Sequence, residues 1–239
     1  MGKQVVILCG GFGNRMEKET YDKPKPMIKI GGKPILWHIL KFFTEYGHNE
    51  FIICLGYLKE EVIQYFEKNP QPDKIIQLID TGDGFTLKSQ RLLQIEHLIK
   101  NDKFFLAYGD DLSNVNLEAL LSFHERKNKM VTITTVNLKS DFGVIKINKN
   151  DVITKFLEKP ILKDVWINAG FSVLNKDIFD FLKFGELETT VYRLLAEKNN
   201  ICAFKHSGFW HGINTVKDQI FLNELCKENN QPWRIWENE

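Results

Sequence analysis

Short apolar runs alternate with amphipathic stretches through the first 136 residues. Val5–Leu8, Phe51–Leu55, Ile75–Ile79, Phe104–Tyr108 and Val131–Val136 are compact runs, several ended by glycine or an acidic turn, and predict buried strands. Between them, apolar residues recur at helical spacing. Ile35, Leu36, Ile39, Leu40 and Phe43 predict a helix over 34–46, with Pro34 suited to its first turn. Val62, Ile63 and Phe66 predict another over 60–67, and further helices follow over 89–99 and 117–127, the latter with Asn116 as N-cap. This rhythm predicts an α/β fold with a mainly parallel, Rossmann-like sheet covered on both faces by helices.

After about residue 140 the texture changes. "GVIKINKNDVITKFLEKP" reads as two short strands around an Asn-rich turn, and "VWINAGFSVL" as another strand. Helices are expected over 176–181, 189–198 and 216–228, with a strand over 201–206 and an aromatic patch at Phe209 and Trp210. The expected organisation is one domain over 1–239. Residues 1–136 form its core, and 137–239 a small α+β lid or subdomain packed on it, with the C-terminal helices.

Composition removes several function classes. The 32 basic and 31 acidic side chains leave no net field to recruit nucleic acid or a membrane surface. No apolar stretch approaches the roughly 20 residues that span a bilayer, and Gln4–Leu8 is too short for a signal peptide. Cys9, Cys54, Cys202 and Cys226 show no paired spacing, so reduced cysteines and a cytoplasmic location are expected. Cys9 and Cys54 lie in apolar runs, as buried small hydrophobes do.

The chemistry concentrates in "CGGFGNRMEKETYDKPKP". Gly10, Gly11 and Gly13 can expose backbone N–H groups at a strand's C-terminal end, where open α/β sheets bind ligands. A dinucleotide fingerprint would need glycine where Met16 stands, and a Walker loop needs a Gly-Lys-Ser/Thr that is absent. Pro24 and Pro26 keep the chain extended, so a long phosphate loop is expected, with Arg15 and Lys25 as its cations. His38 fits a packed helix neighbour, and His206 and His211 match no zinc spacing. Trp210, Trp233 and Trp236 read as packing or subunit-contact residues.

"GGFGNRM" followed by "KPKPMIKIGGKPILWHIL" closely resembles the opening of the sugar-1-phosphate nucleotidyltransferases. "DTG", "YGDD", "FGVI", "EKP", "INAGFSVL", "KHSGFWHGINT" and "PWRIW" follow in the same order. The resemblance covers almost the whole chain and is strongest to the glucose-1-phosphate cytidylyltransferase branch. It implies a fold like that of the GT-A nucleotidyltransferases, and attack of an acceptor phosphate on the α-phosphorus of CTP with release of pyrophosphate. It also implies a Mg2+ cofactor, a homo-oligomer, a nucleotide-binding role for the core over 1–136 and an acceptor-binding role for the subdomain over 137–239. A phosphate monoester is already anionic near neutral pH, so positioning and charge neutralisation are what such an enzyme must provide.

Residue by residue, the resemblance implies Arg15 at the departing pyrophosphate, Lys25 at the α-phosphoryl group and Asp110 on the metal. Leu8, Gly10, Gly11, Gly13, Asn14, Thr81, Gly82, Arg91 and Gly109 complete the implied nucleotide site. Lys88, Ser89, Gln90, Gly143, Glu158, Lys159, Asn168 and Gly170 make the implied acceptor site, Lys159 gripping its phosphate. Asn214 stands where the branch has a second acidic metal ligand, and Asp111 has no clear counterpart and reads as exposed. Ser89 and Gln90 replace a glycine pair, and Lys88 adds a charge. On that ground the expected acceptor is L-glutamine phosphate, as in capsule phosphoramidate synthesis, ahead of α-D-glucose 1-phosphate. An alternative of another class is a non-catalytic nucleotide-binding regulatory module; Arg15, Lys25, Asp110 and Lys159 together argue against it.

Overall fold

The computed structural model describes residues 2–11 and 23–236. In chain order the strands are β1 (Gln4–Leu8), β2 (Lys29–Ile30), β3 (Lys33–Pro34), β4 (Glu50–Leu55), β5 (Ile75–Asp80), β6 (Lys103–Tyr108), β7 (Asp111–Ser113), β8 (Val131–Lys139), β9 (Val144–Ile147), β10 (Ile153–Leu157), β11 (Ile161–Asn175), β12 (Ile201–Lys205) and β13 (Trp210–Gly212). The helices are α1 (Ile35–Glu45), α2 (Lys59–Lys68), α3 (Lys88–Gln94), α4 (Leu117–Lys127), α5 (Ile178–Leu182), α6 (Arg193–Glu197) and α7 (Val216–Lys227).

One seven-stranded sheet, in the order β12-β8-β11-β6-β1-β4-β5, organises the chain. Its strands pair in parallel except β11, which runs antiparallel to both β6 and β8. Strands from both sides of residue 136 therefore share this sheet. Alternation along β1 explains its two covered faces. Val5 and Ile7 pack with Ile35, Leu36, Ile39 and Phe43 of α1, while Val6 and Leu8 pack with Leu92 of α3, Ile178 of α5 and Leu195 of α6. Successive side chains of a strand point to opposite faces, so a run without polar breaks fits only a sheet buried on both sides.

The ends of the helices follow the expected chemistry. The Asn116 side chain accepts from the Ala119 amide at 2.8 Å and opens α4, and Asn128 closes it in a left-handed conformation at φ 47°. The helix foreseen over 89–99 is shorter: α3 stops at Gln94 and a 3₁₀ turn covers Glu96–Leu98. The helix over 189–198 is opened by a wide turn, Leu187–Tyr192, before α6. Cys9 and Cys54 are buried, as is His38, whose Nε2 lies 2.9 Å from the Ile30 carbonyl oxygen. Trp233 and Trp236 are buried against the same helix, their rings meeting His38 and Trp37 edge-on or tilted.

The order of connections creates the crevice. From β1 the chain moves outward to β4 and β5, then returns to place β6 on the other side of β1. Such a reversal opens a cleft at the C-terminal ends of the diverging strands. Leu8 lies opposite both Cys54 of β4 and Tyr108 of β6, so the three strands end level. A glycine follows each end: Gly10, Gly56 and Gly109.

Candidate functional site

A cavity of about 430 Å³ opens at these strand ends. Leu8, Gly10 and Gly11 form its floor, Lys25, Gly109 and Asp110 one side, and Phe85 to Lys88 with Glu186 another. Gly13, Asn14 and Arg15 lie outside the described residues.

Sequence distance hides the central contact. The Lys25 ammonium donates to Asp110 Oδ2 and to Asn214 Oδ1, each at 3.1 Å, across 85 and 189 residues of chain. Pro24 and Pro26 flank this lysine at the start of a 3₁₀ turn, Lys25–Met27, so its backbone keeps little freedom to lose on binding. Asn214 arrives through β-pairing. β13 runs antiparallel to β7 with Gly212 opposite Asp111, and the Ile213 amide donates to the Asp110 carbonyl oxygen at 2.8 Å. The "NT" turn is then fixed by Asp218, which accepts from the Asn214 and Thr215 amides at 3.0 and 2.7 Å and meets His211 Nε2 at 2.9 Å. Asp218 did not enter the sequence reading. Its signal was a Thr-x-x-Asp capping box at the head of α7.

Asp111 is corrected by the structure: it is buried, not exposed. Burial, then the neighbouring Asp110 charge, hold its carboxyl well above the usual range. Gly170 makes room for it. A Cβ on Gly170 would sit 2.0 Å from Asp111 Oδ2, and its φ of +79° is one that side chains rarely adopt.

The residues following "TG" divide into distinct roles. Arg91 lines the cavity, yet its guanidinium is buried and donates to the carbonyl oxygens of Gly10, Leu55 and Asp83 and to Thr81 Oγ1. It occupies the space a Cβ on Gly10 would need, 2.2 Å away, so this glycine is set by close approach of the arginine. Thr81 is buried beneath, while Gly82 is exposed and bonds through its amide to Asp80. Ser89 is buried, and Gln90 turns back to accept from the Leu87 amide at 3.0 Å, capping α3. Neither lines the cavity. Lys88 does, lying 4.4 Å over the Tyr108 ring and paired with Glu188.

The remaining acceptor candidates fall elsewhere. Gly143, Glu158 and Lys159 flank the exposed β9–β10 hairpin; a Cβ on Gly143 would meet Glu158 Oε2 at 3.2 Å. Lys159 holds a left-handed backbone at φ 45° just before Pro160. Asn168 is on β11, reaches the Tyr108 hydroxyl, and accepts from the Gly170 amide at 2.9 Å. None of these five lines the cavity.

Among the described residues no group of three or more His, Cys, Asp or Glu side chains converges on one point. One carboxylate and one amide oxygen do converge, on Lys25. Magnesium beside phosphates takes few protein oxygens, commonly one or two carboxylates, so Asp110 with Asn214 fits a cation completed by ligand oxygens.

The nucleotidyl transferase family model matches residues 4–228. The chain belongs to the nucleotidyl transferase family. A glucose-1-phosphate cytidylyltransferase of Salmonella typhimurium is 35% identical over 259 aligned positions, covering 98% of this chain and all of that protein. A Bacillus subtilis protein named "Probable glucose-1-phosphate cytidylyltransferase" is 37% identical over 98% of this chain and all of its own length. Among solved structures, that of HddC from Yersinia pseudotuberculosis complexed with GMP-PN superposes with a TM-score of 0.72 at 22% identity, over 93% of this chain and 98% of that one. Apo UDP-glucose pyrophosphorylase gives 0.72 at 20%, over 96% and 99%. These likenesses establish the nucleotidyltransferase fold. No helix among the described residues is long and apolar enough to cross a membrane.

Proposed function

We propose that this enzyme transfers a cytidylyl group from CTP to a sugar 1-phosphate, with α-D-glucose 1-phosphate as the acceptor, releasing pyrophosphate. The observation that carries the reading is Lys25 bridging Asp110 and Asn214 in a cavity floored by Gly10 and Gly11. The two relatives of matching length at 35% and 37% identity support the nucleotide and the acceptor. What spoke for L-glutamine phosphate was a wall made of Ser89, Gln90 and a charged Lys88. With Ser89 buried, Gln90 capping α3 and Lys88 paired to Glu188, that support falls away.

In this reading the acceptor phosphate is the nucleophile and needs no side-chain base. Glycine-loop amides and Lys25 hold the triphosphate so that the α-phosphorus faces that oxygen. Lys25 neutralises charge growing on the α-phosphoryl group, and Arg15 the departing pyrophosphate. A magnesium ion held by Asp110 and Asn214 would supply Lewis-acid stabilisation of phosphoryl oxygens. Lys159 takes the acceptor phosphate from the hairpin side.

The test is pyrophosphate release with CTP and magnesium, glucose 1-phosphate and L-glutamine phosphate competing, and the nucleotide product identified. CDP-glucose formation at the higher kcat/KM is the expected result. Preference for L-glutamine phosphate overturns the acceptor and leaves nucleotidyl transfer standing. Nucleotide binding without turnover on any acceptor would make the chain a regulatory module.

A further inference from the structure

Glu186 is a cavity-lining residue with an unusual partner. Its Oε2 is buried and has no hydrogen-bond donor among the described residues. The group beside it is another carboxylate, Glu188, whose Oε1 already accepts from Lys88 and from the Tyr108 hydroxyl at 2.7 Å. Two facing carboxyl groups are satisfied when they share one proton, because a protonated carboxyl is a donor and its neighbour an acceptor. Lys88 and Tyr108 fix the charge on Glu188, which leaves the proton on Glu186. Burial, then the Glu188 charge, push the Glu186 carboxyl upward while Glu188 is held down, Lys88 chief among the causes that outweigh its burial.

The cavity's other occupants say which part of the ligand meets Glu186. Gly10, Gly11, Lys25 and Asp110 mark the phosphate end. The acceptor candidates of β11 and the hairpin are absent from the lining, and Lys88, the acceptor candidate that is present there, has its ammonium paired with Glu188. The wall formed by Phe85 to Lys88 and Glu186 is thereby left to ribose and base.

We propose that Glu186 is the base-selecting residue, its one available oxygen accepting a hydrogen bond from the exocyclic amine of cytosine. This rests on CTP being the substrate. With its proton committed to Glu188, Glu186 cannot turn round to donate. Cytosine offers an N4 amine at that edge where uracil offers a carbonyl oxygen, and acceptor facing acceptor is repulsive. A neutral acid also keeps a further negative charge away from the triphosphate. The discrimination thus needs both members of the pair: Glu188 orients, Glu186 reads.

The experiment measures CTP and UTP in two ways, as kcat/KM for pyrophosphate release and as affinity by calorimetry without acceptor, so that loss of turnover and loss of base selection are separable. Wild type is compared with Glu186→Gln and Glu186→Leu, with Glu186→Met replacing the latter if it does not fold. Glutamine can donate its amide to Glu188 and keep its oxygen for the base, so E186Q retains the CTP preference. The apolar variants lower the CTP/UTP ratio by about 10- to 100-fold, through KM and affinity for CTP with kcat little changed. An unchanged ratio in the apolar variants, or no CTP preference in wild type, overturns the assignment.

Discussion

Arg91→Lys is the sharpest test of how the phosphate loop is held. Arg91 is 2% exposed and makes four hydrogen bonds, to Leu55 O at 2.9 Å, Thr81 Oγ1 at 2.8 Å, Gly10 O at 3.0 Å and Asp83 O. The first two come from Nη1 and the last two from Nη2, so a planar fork joins β4 and Thr81 to the glycine turn and the loop after β5. An ammonium keeps the charge but has one nitrogen, which can replace one arm of the fork and not both. Two charge-assisted bonds are then lost, at about 1.5 kcal/mol each, or about 3 kcal/mol together. For a chain of this size that lowers Tm by about 6 to 12 °C. The assay is thermal unfolding by circular dichroism without nucleotide, paired with calorimetric titration of CTP. The expected result is a lower Tm in the absence of ligand, and weaker CTP binding that follows from the loosened Gly10–Gly11 turn. An unchanged Tm together with lost CTP binding would refute the reasoning, because it would make the ligand, not the loop, the partner of this guanidinium.

Asp110→Asn removes the charged oxygen shared by Lys25 and the proposed cation; turnover should fall by several kcal/mol of transition-state stabilisation, on the order of that from a Lewis-acid metal, with Tm little changed. Full activity at ordinary magnesium would count against it. Lys25→Ala should lower the single-turnover rate at saturating substrates more than it weakens CTP binding, since charge grows at the α-phosphorus on the way to the transition state; an unchanged single-turnover rate would leave Lys25 a structural role only. Asp111 has a raised carboxyl in the folded state, so the native chain binds more protons than the unfolded one above the ordinary carboxylate range. Stability should therefore fall as pH rises through that raised value, and Asp111→Asn should flatten this slope in melts at increasing pH.

The chain's periodicity alone determined the layers. Val5–Leu8 has no polar break, which is physically tolerable only between two covering layers, and both were found, α1 on one face and α3 with α5 and α6 on the other. Local chemistry also fixed the Asn116 cap and the restrained backbone around Lys25, because caps and prolines act within a few residues. Residue identity pointed to Lys25 and Asp110 through resemblance, without showing that they touch. Asn214 joins that contact because β13 pairs with β7 and carries it to Asp110, and strand pairing between distant segments leaves no local mark in the sequence. Burial was equally illegible. Asp110 and Asp111 are adjacent in "GDD", yet Asp110 stands in the turn between β6 and β7 and lines the cavity, while Asp111 opens β7 and is sealed beneath Gly170. Ser89, Gln90 and Arg91 likewise differ by one position each, and the turn of α3 alone assigned them to the core, to a cap and to the fork under Gly10.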